Sequence, residues 1–206
     1  MTNSELVDGV ARYYASKLAR HGATAAGVDW NSEESQRLRF DQFMPLVSET
    51  SASICDYGCG YGALLDYLRA RGHRGAYVGF DAAVGMIREA TARHDEDRSA
   101  RFTSMRADVL PCDFTVASGI FNVRLSTPVD LWRAYIVETI GDLASLSRRG
   151  FGFNVLSNYS DADKQRADLY YADPQELFDH CMQRWPRRVA LVHDYDLYEF
   201  TLTVRF

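Results

Sequence analysis

Apolar residues recur along the chain at two different spacings, and the spacing changes several times after residue 50. Short runs rich in β-branched and aromatic residues predict strands, and these lie at 52–55, 76–80, 101–105, 114–118 and 151–156. Apolar residues three and four positions apart predict helices between the strands, and these lie at 63–71, 83–94 and 129–146. Strands that alternate with helices in this way are typical of a parallel α/β sheet.

Two further helices are predicted before the first strand. Residues 4–20 carry apolar side chains at helical spacing and are followed by a glycine. The second helix is predicted to be capped by Asn31, whose side chain would form a capping box with that of Glu34, and to stop near Pro45. We expect these helices to form an appendage of the sheet, over residues 1–48, and not a separate domain.

The C-terminal part of the chain predicts a different ending for the sheet. After a helix opened by Pro174, which suits a helix start, two strands at 188–193 and 198–206 predict an antiparallel hairpin. The predicted fold is therefore a Rossmann-like, doubly wound, seven-stranded α/β sheet with a terminal antiparallel hairpin and an N-terminal helical appendage. We expect a single domain over residues 1–206, with its core at 50–206.

Composition narrows the range of partners. The chain has 206 residues, of which 47% are hydrophobic, and a formal net charge of −5. This charge argues against binding to nucleic acid or to an anionic membrane, because both require a basic surface. Only Lys17 and Lys164 are lysines, which argues against a Schiff-base enzyme. The polar start predicts no signal peptide and no apolar run is long enough to span a membrane, so we expect a cytoplasmic protein. The oligomeric state is not indicated.

The four cysteines predict neither a metal site nor a disulfide. They include no Cys-x-x-Cys pair, so zinc binding is not expected. In a reducing cytosol such cysteines are typically small, buried hydrophobic residues.

The glycine-rich turn after the first strand carries the clearest chemical signal. Asp56 follows the predicted strand, and Gly58, Gly60 and Gly62 come next before a helix begins at Ala63. Glycine allows a positive φ and lets the backbone approach a ligand, and a helix N-terminus offers N–H groups to a polar or anionic group. One ligand compatible with this turn is a dinucleotide, since Gly58, Gly60 and Ala63 satisfy G-x-G-x-x-G/A.

Two more acids follow at strand ends. Asp81 ends the second strand roughly 20 residues after the turn, at the spacing of an acid that bonds ribose hydroxyls, and Asp108 follows the third strand. Together with the Asp-x-Gly-x-Gly-x-Gly turn and the final hairpin, these residues resemble a class I S-adenosylmethionine-dependent methyltransferase across residues 50–206. The chain is most similar in kind to the small stand-alone bacterial enzymes that act on small molecules or glycans.

The resemblance implies S-adenosyl-L-methionine as cofactor and gives roles to individual residues. Asp56 would lie near the methionine amino group, Asp81 would bind the ribose, and Asp108 would contact the adenine amine. Arg39 would bind the methionine carboxylate, with Trp30 packing over the site. The complete set of expected cofactor-binding residues is Asp56, Tyr57, Gly58, Gly60, Gly62, Asp81, Ala82, Asp108, Val109, Ser118, Trp30 and Arg39. Structural roles remain open for several of them: a helix cap for Asp56, a solvated acid for Asp81, a surface position for Arg39 and a core position for Trp30.

The residues that would bind and activate the methyl acceptor are less well specified. His21 and His193 are candidates for a general base, and Asn122 for an orienting group, although a single histidine is more often structural. An acceptor pocket is expected at the carboxyl edge of the sheet, between the N-terminal helices and the loops after the fourth and fifth strands. Its expected acceptor-binding residues are Tyr13, Tyr14, Asn158 and Tyr159.

These features predict transfer of a methyl group to a small-molecule or glycan acceptor, at oxygen. The sequence does not contain an Asn-Pro-Pro-Tyr-type motif after the fourth strand, which argues against methylation of nucleic-acid bases. Two alternatives remain open at this stage, an NAD-binding reductase and a non-catalytic module that binds a cofactor or a partner. The sequence does not identify the acceptor.

Overall fold

A twisted seven-stranded sheet runs through the computed structural model, which describes residues 2–206. Its strands are β1 (Ile54–Tyr57), β2 (Tyr77–Phe80), β3 (Ala100–Thr103), β4 (Cys112–Ala117), β5 (Ser147–Leu156), β6 (Val189–Val192) and β7 (Glu199–Arg205). The α-helices are α1 (Asn3–His21), α2 (Glu33–Asp41), α3 (Ala63–Ala70), α4 (Val84–Arg93), α5 (Val129–Ser145) and α6 (Pro174–Arg184). Short 3-10 turns lie at Ala26–Val28, Arg106–Asp108 and Ala162–Lys164.

The strands lie in the order β3-β2-β1-β4-β5-β7-β6. The first five strands of the chain run parallel, whereas β7 runs antiparallel to both of its neighbours, β5 and β6. This arrangement confirms the predicted doubly wound sheet with an antiparallel hairpin at its end. The strand order reverses at β1, which pairs with both β2 and β4, and ligands of such sheets bind beyond the carboxyl ends of the strands at this reversal.

Apolar side chains cover both faces of the sheet. On one face, α5 and α6 pack against β5 and β7 in a cluster that contains Trp132, Phe153 and Phe200. On the other face, α3 and the segment after α2 contribute Leu65 and Phe43 to a second cluster. Strands that are buried on both faces appear in sequence as nearly continuous hydrophobic runs, and this explains why the sequence located the strands but not their ends.

The start of α2 differs from the prediction. Its N-cap is Ser32, not Asn31, because Ser32 has the extended backbone that an N-cap requires. The N–H of Ser35 donates to Oγ of Ser32 over 3.0 Å, and the N–H of Ser32 donates to Oγ of Ser35 over 3.3 Å. The capping box is therefore made by two serines, one residue further along the chain than the predicted pair of Asn31 and Glu34.

Two strands also differ from their predicted form. β1 continues through Asp56 to Tyr57 because its pairing with β2 extends that far, so Asp56 belongs to the strand and does not follow it. In β7, Thr201 lies at a polar position that alternates with Phe200 and Leu202, where an exposed side chain would be expected, yet it has no exposed surface. The hydroxyl of Tyr195 lies 3.0 Å from Oγ1 of Thr201, which satisfies this buried polar group.

The N-terminal helices lie over the carboxyl edge of the sheet. Near the start of α1, Leu6 joins the cluster beneath α5, and the later part of the helix contacts α4. In the turn after α1, Asp29 accepts hydrogen bonds from Lys17 Nζ at 2.5 Å and from the Tyr13 hydroxyl at 2.6 Å. A buried ion pair between Arg39 and Glu199 joins α2 to β7. These contacts fix the N-terminal helices against the sheet.

The remaining composition-based expectations concern cysteines and membranes. The four cysteines are buried, as the sequence predicted, and all four are free thiols. Within residues 2–206, no helix is both long and apolar enough to cross a membrane. In the same part of the chain, no group of three or more His, Cys, Asp or Glu side chains is arranged to hold a metal ion.

Candidate active site

A cavity of about 140 Å³ lies beyond the carboxyl ends of β1, β2 and β4. It offers roughly ten times the space that a single water molecule needs. The glycine turn forms its floor, the ends of β2 and β4 form two of its sides, and α1 covers it. Its lining consists of Val7, Val10, Ala11, Tyr14, Val28, Trp30, Gln36, Phe40, Asp56, Tyr57, Gly58, Cys59, Gly60, Tyr61, Ala63, Leu64, Phe80, Asp81, Ala82, Met86, Ser118, Gly119, Ile120 and Tyr135.

The glycine turn needs glycine for two separate reasons. Gly58, Gly60 and Gly62 have φ values of +85°, +54° and +86°, which other residues rarely adopt. A side chain at Gly58 would also place its Cβ 2.2 Å from Ile120 of the loop after β4. The turn is held to β2 because the carbonyl oxygen of Phe80 accepts from the N–H of Gly58 at 2.7 Å. The alternating glycines therefore bring the backbone of the turn against the cavity.

Asp56 is a buried acid that faces the cavity. Only 3% of the residue is exposed, and the Tyr77 hydroxyl donates to its Oδ2 at 2.5 Å. Among residues 2–206, nothing donates a hydrogen bond to its other oxygen, Oδ1. Burial raises the pKa of Asp56 to about 7; the hydrogen bond from Tyr77 lowers it, and the nearby charge of Asp81 raises it. Asp56 is therefore suited to a cationic partner that would restore its charge.

Asp81 connects the glycine turn to the start of α4. Its Oδ2 accepts from the N–H of Gly60 at 2.9 Å, and its Oδ1 accepts from the N–H of Ala83 at 2.8 Å. Burial raises the pKa of Asp81, and these two backbone donors oppose that effect. Each carboxylate oxygen has a second lone pair, so Asp81 still has acceptor capacity for a ligand in the cavity.

Arg39 does not line the cavity, which corrects its predicted position. Its guanidinium forms a bidentate pair with Glu199, at 2.8 Å for Nε–Oε2 and 2.6 Å for Nη2–Oε1, and its Nη1 donates to the carbonyl oxygen of Ser35. The same group lies 3.8 Å from the ring centre of Trp30, which does line the cavity. Arg39 therefore packs against the ring of Trp30 and is not free to bind a carboxylate.

Three more of the predicted cofactor-binding residues lie outside the lining. Gly62 faces His94, since a Cβ on Gly62 would lie 2.7 Å from Nε2 of that ring. Asp108 lies in the 3-10 turn after β3, where it is exposed and outside the lining. Its carboxylate accepts from Oγ1 of Thr103 at 3.3 Å. Val109 is buried in an apolar cluster. The predicted residues that do line the cavity are Asp56, Tyr57, Gly58, Gly60, Asp81, Ala82, Ser118 and Trp30.

The predicted catalytic residues are not brought to the cavity. His21 and His193 are exposed and lie outside the lining. Asn122 is buried, but its Oδ1 accepts from the N–H of Leu156 at 3.0 Å and its Nδ2 donates to Glu199 at 3.5 Å. Asn122 thus joins the loop after β4 to β5 and β7.

Of the predicted acceptor-binding residues, only Tyr14 lines the cavity. The hydroxyl of Tyr13 is engaged by Asp29 in the adjoining turn. Asn158 is exposed, and Tyr159 has 77% of its surface exposed. The long loop after β5 therefore does not supply these two side chains to the cavity.

Several lining residues were not identified from the sequence. They are Val7, Val10, Ala11, Val28, Gln36, Phe40, Cys59, Tyr61, Leu64, Phe80, Met86, Gly119, Ile120 and Tyr135. The apolar stripe of α1 was visible in the sequence, but an apolar stripe does not show whether it faces a core or a cavity. The lining contains no lysine, arginine or histidine from residues 2–206, and its only ionised groups near neutral pH come from Asp56 and Asp81.

Comparisons with known proteins agree with this geometry. A family model described as a methyltransferase domain matches residues 37–203. Rv1506c, a Mycobacterium tuberculosis protein named as a methyltransferase, is 53% identical over 153 residues, which are 74% of this chain and 92% of that protein.

Two solved structures share the fold. The 1,6-didemethyltoxoflavin-N1-methyltransferase of Burkholderia thailandensis, with S-adenosylhomocysteine bound, has a TM-score of 0.68 at 18% identity, over 100% of this chain and 90% of that one. DhpI in its S-adenosylhomocysteine complex has a TM-score of 0.65 at 15% identity, and the match covers 99% of this chain and 98% of that one.

Proposed function

This chain belongs to the methyltransferase-domain family and is a class I S-adenosylmethionine-dependent methyltransferase, and we propose that it methylates an oxygen atom of an uncharged small molecule. Family membership decides against the NAD-binding reductase. The observation that carries the proposal about the acceptor is the charge of the cavity, which is lined by two carboxyl groups and, within residues 2–206, by no cation.

The lining fits the cofactor group by group. Oδ1 of Asp56 is available for the cofactor's ammonium group, and Asp81 for its ribose hydroxyls. Phe80, Met86 and Tyr135 offer apolar surface for an adenine ring. The glycine turn lets the main chain approach closely. These are the residues that we propose to hold S-adenosyl-L-methionine.

The cofactor's carboxylate needs donors, since Arg39 is engaged by Glu199. Trp30 and Gln36 both line the cavity. Neither the indole N–H of Trp30 nor the amide nitrogen of Gln36 donates a hydrogen bond to residues 2–206, whereas the amide oxygen of Gln36 accepts from Tyr61 at 3.2 Å. We therefore assign the carboxylate to Trp30 and Gln36, with Arg39 as support beneath the indole ring.

The acceptor is inferred from what remains of the lining. With Asp56 and Asp81 assigned to the cofactor, the lining offers an anionic acceptor no cationic side chain from residues 2–206, and only the cofactor's sulfonium would balance its charge. Tyr14 and Ser118 present hydroxyl groups among apolar walls. Such groups can hydrogen-bond an acceptor hydroxyl, and the apolar walls can contact its carbon skeleton, as in a small phenol or a sugar.

The reaction relies on positioning. Bound S-adenosyl-L-methionine supplies an electrophilic methyl group on its sulfonium. The residues of this chain bind and orient the two reactants, and α1 covers the cavity and excludes water. Burial raises the pKa of Tyr135 to about 12, so at neutral pH its hydroxyl is a hydrogen-bond donor and not a base. His21 and His193 lie outside the lining and are not part of this proposal.

A labelled-methyl screen tests the proposal. The purified chain would be incubated with methyl-labelled cofactor and three matched panels: neutral phenols and sugars, the corresponding carboxylic acids, and the corresponding amines. We expect label in the neutral hydroxyl panel and loss of that label with Asp81→Ala. Label confined to the acids or the amines would refute the proposed acceptor class while leaving the methyltransferase assignment unaffected.

A further inference from the structure

Tyr77 is a fully buried tyrosine that lies beneath the floor of the cavity without lining it. Its exposure is 0%, and it belongs to β2, beside β1. The ring packs in the apolar cluster on the α3 face of the sheet and lies 5.8 Å from the ring of Phe102. Phenylalanine would fill the same apolar space, so this packing does not explain the hydroxyl.

The hydroxyl of Tyr77 makes one contact that matters for the cavity, to Oδ2 of Asp56 at 2.5 Å. A buried hydroxyl is unfavourable unless it is hydrogen-bonded, and a hydrogen bond to a charged acceptor is stronger than one to a neutral acceptor. Tyr77 is also the only side chain among residues 2–206 that donates a hydrogen bond to Asp56. The pair therefore joins a side chain of the interior to a side chain of the cavity.

We propose that Tyr77 is a positioning residue for the cofactor: by holding Oδ2 of Asp56 from beneath the floor, it leaves Oδ1 for the cofactor's ammonium group. This inference rests on the proposed place of the cofactor in the cavity. Tyr77 itself touches neither reactant. Its effect passes through the orientation and the charge of one carboxylate.

The charge of Asp56 depends on Tyr77 because no cationic side chain from residues 2–206 stabilises the ionised carboxylate. The titratable groups that interact with Asp56 are Cys55 of β1, Cys59 of the glycine turn, Tyr77 of β2 and Asp81 just after β2. Neither β4 nor α3 contributes a charged group to it. Burial raises the pKa of Asp56, and the hydrogen bond from Tyr77 lowers it. The hydroxyl therefore increases the fraction of Asp56 that is ionised at neutral pH.

The test is Tyr77→Phe, which removes the hydroxyl and keeps the ring. Calorimetric titration with S-adenosylhomocysteine between pH 6 and pH 9 would give the Kd of the variant and of the wild type. We expect binding about tenfold weaker at pH 7, from loss of a hydrogen bond to a charged group. Affinity should rise with pH in both proteins, and the rise should lie at higher pH in the variant, because Asp56 then ionises later.

Proton release gives a second readout. Titrations at pH 7 in buffers of different ionisation enthalpy count the protons released on binding, and the variant should release more per site than the wild type. Tyr67→Phe is the matched control, since Tyr67 is also buried and also donates to an aspartate, Asp41, outside the cavity. The control should keep the wild-type Kd and the wild-type pH profile.

The possible outcomes separate this inference from the proposed cofactor site. A folded Tyr77→Phe protein with wild-type Kd, pH profile and proton count overturns the role of Tyr77, provided that Asp56→Asn or Asp81→Ala weakens binding. If neither aspartate variant changes the Kd, the cofactor site itself is misplaced. If Tyr77→Phe does not fold, a wild-type crystal structure with S-adenosylhomocysteine carries the test: the Tyr77 hydroxyl on Oδ2 of Asp56 with the ligand's amino group on Oδ1 supports the inference, and an amino group that has displaced Tyr77 from Oδ2 overturns it.

Discussion

Asp56 and Asp81 carry the charge of the cavity at the expense of folding stability. Burial raises the pKa of both, which means that the ionised forms are disfavoured in the chain without its cofactor. Two acids without a cation suit a ligand that brings its own positive charge. Residues that prepare a functional site commonly weaken the fold in this way.

Asp56→Asn should stabilise the fold and weaken cofactor binding. The pKa of Asp56 is raised from 3.8 to about 7 on folding. Between these values the folded state holds a proton that the unfolded state has lost, so this group lowers the free energy of unfolding as pH rises from about 4 to about 7. Asn does not titrate, so the variant avoids this decrease in the free energy of unfolding. Its amide oxygen can still accept from Tyr77.

Urea denaturation at pH 5 and pH 8 checks this prediction. The free energy of unfolding of Asp56→Asn should exceed that of the wild type at pH 8 by on the order of a few kcal/mol. The excess should be smaller at pH 5. An Asn variant that is less stable than the wild type at pH 8 would show that Asp56 does not carry this penalty.

Asp81→Ala should weaken binding of S-adenosylhomocysteine by about 1.5–3 kcal/mol, the size of charge-assisted hydrogen bonds lost. The variant also frees the N–H of Gly60, which loosens the glycine turn. Asp108→Ala is the control, because Asp108 is exposed and outside the lining. Calorimetry would contradict this assignment if both variants bound equally, whether both matched the wild type or both were weakened.

The N-terminal helices and the sheet meet at one buried ion pair. Arg39 of α2 and Glu199 of β7 are paired by two hydrogen bonds, and Asn122 of the loop after β4 adds a third contact to Glu199. Arg39 also supports the ring of Trp30. The pair thus connects α2, β7 and the β4 loop around one side of the cavity.

Glu199→Gln should destabilise the fold by about 3–5 kcal/mol, because it leaves the charge of Arg39 buried without a counter-charge. The double variant Arg39→Met, Glu199→Leu should recover much of this loss, since apolar residues of similar volume can replace a buried pair. Denaturation of the wild type, the single variant and the double variant checks both statements. A single variant with wild-type stability would mean that the pair is not buried in solution.

Local patterns predicted the fold and the acids of the site, whereas contacts distant in sequence were not predictable. Strand positions, the glycine turn and Asp81 follow from a few neighbouring residues each. The partner of Arg39 lies 160 positions along the chain, so nothing near Arg39 shows that it is already paired. Asp108 has the expected place in sequence, but a 3-10 turn of three residues directs it to solvent.

The cavity is assembled from distant parts of the chain. Val7 and Val10 of α1 cover it, Asp56 of β1 and Asp81 just after β2 supply the acids, and α5 contributes Tyr135. The side chain of Asn3, at the start of α1, donates to Glu138 of α5 at 2.5 Å. This hydrogen bond fixes α1 to α5. The cavity therefore forms fully only when the N-terminal helix has docked on the folded core.

Removal of residues 1–28 should abolish methyl transfer and leave a folded core. The truncation takes away Val7, Val10, Ala11 and Tyr14, so the cavity loses its cover and opens to water. Circular dichroism would check the fold, and the labelled-methyl assay the activity. Full activity after truncation would place the acceptor away from α1.

A crystal structure of the chain with S-adenosylhomocysteine tests the central claim most directly. We predict that the ligand lies under α1, with its amino group within hydrogen-bond distance of Oδ1 of Asp56 and its ribose hydroxyls on Asp81. Its carboxylate should reach Trp30 and Gln36, and Arg39 should stay paired with Glu199. A ligand bound outside this cavity, or bound in it with the amino group away from Asp56, would contradict the account.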